Sequence, residues 1–264
     1  MWCMEWAQKR KINYALAFAG TIIFLVTLLT YLVVHKAPNC FDQKQNSDET
    51  GVDCGGSCAL YCEAQIKPLR TLWVKALSFA PGHYDVGAYI ENPNTNAGIY
   101  GARYTVRIFG EEDKLVYERS GTIDIAPGAP LFVFEGNVSL SQAPSDVQIE
   151  FNNKDLRRWT KAQGGESVIL TKNQSLKNTD IKPRLEITLV NTDLVNSVER
   201  IVLGSIIYDS TNQPVAISRT FVDKIGKGGE STPIFTWPNP FPRALEGEKF
   251  TSRIVIMQPA VFEN

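Results

Sequence analysis

Three patterns of apolar and polar residues follow one another along the chain. The first is an unbroken run from Ile12 to Val34, 23 residues without a charge. At about 1.5 Å per residue, a helix of that length crosses the ~30 Å hydrocarbon core of a bilayer. Lys9, Arg10 and Lys11 precede the run, and His35 and Lys36 follow it. The positive-inside rule then predicts a cytoplasmic tip (1–11), a transmembrane helix (12–34) and a C-terminal remainder outside. Trp2, Trp6, Tyr14 and Tyr31 are placed for the interfaces. The run exceeds the apolar core of about 7 to 15 residues found in a cleaved signal peptide, and no convincing cleavage site follows it.

The second pattern is a polar, cysteine-dense stretch over 35–67. The third begins after it and consists of short alternating segments separated by Gly, Pro, Asn and Asp. Val86, Ala88 and Ile90 form the inward set of Asp85–Asn92, and Tyr104, Val106 and Ile108 that of Arg103–Phe109. Leu185, Ile187 and Leu189 alternate with Glu186 and Thr188 in Arg184–Asn191. Period-two alternation predicts strands with one buried face. No stretch beyond the membrane run carries a sustained helical stripe, and Asp155–Ala162 is the best short helix candidate. Thr171–Lys182 reads as a polar loop.

The β region also resembles itself at a shift near 99 residues. Asn92 falls on Asn191, Arg107-Ile-Phe-Gly110 on Ile206-Ile-Tyr-Asp209, and the Ala126-Pro-Gly128 turn on Gly226-Lys-Gly228. Units of about 100 residues have the size of an immunoglobulin-like sandwich. The expected fold is an all-β ectodomain of two tandem immunoglobulin-like β-sandwiches (68–160 and 161–264), with one N-terminal transmembrane helix and a small disulfide-rich loop. The join is expected within Asn152–Glu166, short enough to make the pair a semi-rigid rod. Leu189-Val-Asn-Thr, Ser205-Ile-Ile-Tyr-Asp209 and the Gly226-Lys-Gly-Gly-Glu-Ser turn resemble FxLyD-type and late-embryogenesis-abundant-like sandwich domains of cell envelopes. That resemblance implies structural or interaction modules and transfers no catalytic residue.

Four of the five cysteines, Cys40, Cys54, Cys58 and Cys62, lie within 23 residues, while Cys3 stands alone before the helix. Outside the membrane such a cluster predicts two disulfides of open connectivity. Zinc is the alternative, although the spacing departs from paired C-x2-C. The same loop concentrates negative charge, with Asp42, Asp48, Glu49 and Asp53 against Lys44. Its Glu49-Thr-Gly-Val-Asp-Cys-Gly-Gly56 core resembles a small cysteine-rich module of exported bacterial proteins, which implies a surface protein. Asp42, Asn46, Asp48, Glu49 and Asp53 are the candidate calcium ligands, since calcium takes six to eight oxygens. Their spacing does not match an EF-hand, and a solvated acidic turn serves equally well.

Overall charge is −1, with two histidines, His35 and His83. Near-neutrality argues against nucleic acid as a partner, and the scarcity of histidine removes most catalytic and metal-site chemistry. Phosphate-loop, G-x-S-x-G and H-E-x-x-H motifs are absent. Phe235-Thr-Trp-Pro-Asn-Pro-Phe-Pro242 holds the candidate partner-binding residues Trp237 and Phe241, aromatics in a proline-interrupted loop. Both rings could instead tuck over the open end of a sandwich. The expected function is a single-pass membrane-anchored bacterial envelope protein, not an enzyme, that holds an unidentified envelope protein or glycan. Its partner through residues 12–34 is the lipid bilayer, and no cofactor is required unless the loop takes calcium. The alternative is an exported glycan-cleaving enzyme, which needs two facing carboxylates.

Overall fold

The structure is a computed structural model that describes residues 2–34, 39–163, 167–244, 247–257 and 261–262. The side chains of Trp2, Cys3 and Trp6, together with His35, Lys36 and Glu166, lie outside what is described. The chain divides into two units, Met1–Asp53 and Cys54–Asn264.

The first unit contains α1 (Trp2–Val34). Its segment Gln8–Leu32 is long and apolar enough to cross a membrane, with a mean hydropathy of 2.2 and none of that window buried. At 1.5 Å per residue it is about 37 Å long. Thr21, Thr27 and Thr30 donate their hydroxyls to the carbonyls of Ala17, Ile23 and Val26, four residues back. Polar groups satisfied within one helix are what a hydrocarbon solvent demands.

The second unit is built from strands. The first sandwich uses β1 (Arg70–Ala80), β2 (His83–Glu91), β3 (Ala97–Phe109), β4 (Leu115–Ile125), β5 (Pro130–Ser139), β6 (Asp146–Phe151) and β7 (Thr160–Gln163). The second uses β8 (Ile169–Lys177), β9 (Arg184–Asn191), β10 (Val198–Tyr208), β11 (Pro214–Ile225), β12 (Glu230–Ser231), β13 (Ile234–Thr236) and β14 (Thr251–Met257). A last short strand, β15 (Val261–Phe262), returns to pair with β7. All these pairings are antiparallel. Sheet β1-β2-β5 shares one core with the sheet of β3, β4, β6 and β7, built around Ile90, Ile99, Ile108, Ile125 and Val133. Sheet β11-β10-β14 shares a second core with β8, β9, β12 and β13, built around Leu185, Leu189, Leu203 and Phe235.

A third core joins the sandwiches. Tyr89 and Phe132 from β2 and β5 meet Ile206, Tyr208, Ile217 and Val255 from β10, β11 and β14. Trp73, Leu77, Phe134 and Met257 close its rim. The two middle sheets are therefore covered on both faces, and the unit is four sheets deep. The rod joined by a short linker is replaced by face-to-face packing. Approach is close enough to require glycine: a Cβ on Gly204 would lie 2.2 Å from the Phe132 ring, and one on Gly87 would lie 2.6 Å from Ile217. Arg219 sits over the Phe134 ring at 5.5 Å, and Arg253 over Tyr89 at 5.6 Å.

Two local expectations are corrected. Asp155–Ala162 is a single 3-10 turn, Asp155–Arg157, followed by β7. Buried Trp159 and the pairing of Thr160 and Lys161 with Gly98 and Ala97 draw this segment into the sheet. Of the loop expected over Thr171–Lys182, the part up to Lys177 belongs to strand β8 (Ile169–Lys177), and only 178–182 is loop. The polar residues of β8 occupy an edge strand with a wet outer face, where alternation contrasts polar with weakly polar side chains.

Candidate functional site

In the first unit the acidic residues brace their own loop. Asp53 accepts the backbone amides of Asp42 at 3.0 Å and Gln43 at 3.0 Å. Asp42 accepts the Lys44 amide at 3.0 Å and the Asn46 side-chain amide at 2.9 Å. Buried Glu49 accepts the Asn46 backbone amide at 3.1 Å, while Asp48 is exposed. Only Asn46 Oδ1 in this group is buried without a hydrogen bond. Carboxylates that accept backbone donors in this way brace the turn from within.

In the second unit Cys54 and Cys62 form a disulfide with Cα atoms 5.0 Å apart. Cys40 and Cys58 are also disulfide-bonded, so none of the four is a thiolate available to zinc. The knot from Cys54 lies on the first sandwich. The Tyr61 amide donates to Trp159 O at 2.8 Å, and Lys67 and Asn94 exchange hydrogen bonds of 2.9 and 2.8 Å.

Trp237 and Phe241 are 5% and 4% exposed and pack within the second core. Trp237 donates its indole N–H to Ile217 O at 3.0 Å and meets Phe241 edge-to-face at 5.2 Å. The prolines turn the chain so that apolar faces point inward, which a residue count of exposed aromatics does not anticipate. Asn239 donates to Phe79 O at the end of β1, tying this loop to the first sandwich.

Two concavities stand out among the described residues. The larger, about 680 Å³, is a trough on the outer face of β3, β4 and β6, lined by Arg103, Thr105, Arg107, Ser120, Glu150 and Lys154 among others. Three of its charges, Arg103, Arg107 and Glu150, are paired. Arg107 bridges Glu118 and Glu150 at 2.6 Å each, and Arg103 reaches buried Asp155 at 2.8 Å. Hydrogen bonds from the Arg103 side chain and backbone hold the Asp155 carboxyl well below the usual carboxylate range. Beneath the trough, Tyr104 donates to buried Glu135 at 3.1 Å, and Arg119 pairs with that carboxylate at 3.2 Å. Burial and the Glu135 charge push the Tyr104 phenol up to about 12.

The smaller concavity, about 130 Å³, lies where the sandwiches meet. Phe79, Ile217, Trp237, Phe241 and prolines 240 and 242 wall it, and Asp85 supplies its carboxylate. Asp85 was invisible to sequence reasoning, since one acid at the head of a strand carries no pattern. His83, two residues earlier, is engaged by Asn137 at 3.1 Å and Ser139 at 3.2 Å.

No family model matches the sequence, and no curated protein matches it. Among solved structures, the Amycolatopsis orientalis exo-chitosanase CsxA is 15% identical with a TM-score of 0.25, over 71% of this chain and 26% of that one. Parabacteroides merdae β-glucuronidase is 9% identical with a TM-score of 0.24, over 66% and 26%. Red sea bream transglutaminase is 9% identical with a TM-score of 0.21, over 73% and 32%. The chain thus spans about a third or less of each of these proteins. Alignments this loose bear on no activity.

Proposed function

We propose that this chain is a single-pass, membrane-anchored bacterial envelope protein, N-terminus inside, whose two sandwiches are copies of one module and act together as a rigid structural and protein-interaction body. The third core carries the reading: it makes one stiff object with broad polar faces out of two sandwiches. The exposed apolar helix and the basic Lys9-Arg-Lys11 cluster support the anchoring and its direction. Two coincidences support common descent of the modules. Asn92 donates to the carbonyls of Ala97 and Ala126, and Asn191 to those of Asn196, Ile225 and Gly226. The same register shift also falls between Thr71 and Trp73 on β1 and between Thr171 and Asn173 on β8. The cysteine-rich and FxLyD-type likenesses belong to this proposal.

Among the described residues, Glu150 is the only carboxylate lining the trough and Asp85 the only one lining the crevice, so neither of these two concavities presents the facing pair that glycan cleavage by paired acids needs. The test uses bacterial membranes carrying the full chain. Resistance to alkaline extraction, with the β region cleaved only by protease added outside, is expected, and crosslinking should return a specific neighbour. Extraction of the whole chain, or turnover of cell-wall fragments without any neighbour, would overturn the reading.

A further inference from the structure

We propose that the crevice between the sandwiches binds an alkylammonium group, supplied by a partner's lysine side chain or by a free amine of the same reach. Asp85 carries the argument. It is half-buried, its Oδ1 accepts one backbone amide, from Asn137 at 3.0 Å, and no cation among the described residues reaches it. The three fully buried acids of this unit each have a cationic partner: Asp155 pairs with Arg103 and Arg158, Glu135 with Arg119, Asp209 with Arg243. Asp124 and Asp193 are half-buried without one among the described residues, as Asp85 is, but only Asp85 lines the crevice. A carboxylate withdrawn from water without a counter-charge is costly, and a cation seated beside it recovers that cost. Burial already pushes the Asp85 carboxyl upward.

The walls fit the same ligand. Phe79, Trp237 and Phe241 supply aromatic surface that attracts cations, and Pro240, Pro242 and Ile217 supply apolar contact for methylenes. At about 130 Å³ the crevice is well below the ~300–1,000 Å³ of ordinary small-molecule pockets. It suits the end of one side chain and excludes a sugar or nucleotide. Asn239 holds its rim from the second sandwich to the Phe79 carbonyl of the first, so the pocket exists only while the sandwiches stay joined.

The proposal rests on the interaction reading above only for the lysine as source. The test titrates the full chain in detergent micelles with n-butylammonium, 1-butanol, and blocked lysine and norleucine amides, following the Trp237 indole N–H by NMR. Both amines should give saturable shifts at least tenfold tighter than their neutral isosteres. Asp85→Asn, which keeps the acceptor for Asn137, should erase that difference. Butylammonium binding with the lysine amide excluded would assign the pocket to free amines. Equal response to 1-butanol and butylammonium in the unaltered protein, or no saturable response to either, overturns the proposal without any variant. Such a failure would leave membrane anchoring, judged by extraction and protease access, untouched.

Discussion

The outer face of β3-β4-β6 and the corresponding face of β10-β11-β14 share one strand register and have opposite chemistry. Thr105 lies between Ser120 and Glu150, and Gly204 lies between Arg219 and Val255. Arg107 lies between Glu118 and Gln148, and Ile206 between Ile217 and Arg253. The face that meets the neighbouring sandwich is apolar with a glycine at closest approach, while its counterpart facing water is laced with ion pairs. The other sheets show the same division. Trp73 opposite Tyr89 is packed in the seam, and Asn173 opposite Thr188 is on the free side. The seam is heterologous, joining one kind of sheet to the other kind. A pairing of that type does not close on itself and could propagate from molecule to molecule. Both free faces carry ion pairs, among them Arg107 with Glu118 and Lys172 with Glu230, which would oppose such growth.

The largest expected effect comes from cutting the seam. Phe132 is 1% exposed, against Trp73, Phe134 and the Gly204 backbone. Phe132→Ala should cost about 3–5 kcal/mol and split one denaturant transition into two as the sandwiches uncouple. A single transition at an unchanged midpoint would mean that the seam contributes little.

Next come the buried asparagines, which sharpen the likeness between sandwiches. Asn92 is 2% exposed and Asn191 0%, and each also accepts the amide two residues on, from Asn94 and Asp193, at 3.0 Å. Asn92→Ala and Asn191→Ala should each cost about 1–3 kcal/mol by leaving carbonyls unpaired. Clearly unequal losses in urea titrations would argue that the two turns are not the same device.

These outcomes also mark how far the sequence could be read. Alternation located β2, β3 and β9, because in each the inward residues Ile90, Ile108 and Leu189 are apolar. It failed to show that Tyr89 and Ile206, on the opposite faces, are buried too. The trace was present in Leu131-Phe-Val-Phe134 and Ile201-Val-Leu-Gly-Ser-Ile-Ile-Tyr208, near-continuous apolar runs of the kind found in strands covered on both sides. What no local pattern could supply was which faces meet, since that depends on residues brought together across the whole fold. The Asp85 crevice is hidden for the same reason, being assembled from β1, β2, β11 and a proline loop. Trp237 and Phe241, which drew attention as aromatics, pack in the second core and also wall that crevice.

A smaller effect separates two acids by sign. The Asp155 carboxyl is held low, so its contribution to stability is present above the ordinary aspartate pKa and lost as pH falls toward the depressed value. Burial holds Asp85 high, so its ionisation weakens the fold as pH rises through that raised value. Thermal unfolding across acidic pH should lose its low-pH decline in Asp155→Asn and gain stability near neutrality in Asp85→Asn. Parallel profiles for the two variants would contradict these assignments.

The smallest change in stability should accompany the sharpest change in behaviour. Arg107 is half-exposed, and its pairs with Glu118 and Glu150 lie at the surface, where such pairs are worth roughly 0–1 kcal/mol. Arg107→Ile places on the free face the residue that Ile206 supplies to the seam at the same register position. If the charge there mainly prevents further stacking, the variant should keep its unfolding midpoint while its sedimentation becomes concentration-dependent. The reciprocal change, Ile206→Arg, would bury an unpaired guanidinium in the seam and should unfold the protein under the same conditions. A variant that stays monodisperse at every concentration would show that shape, rather than charge, keeps the free face from pairing. The difference between the two faces would then lie in the Gly204 contact and not in Arg107.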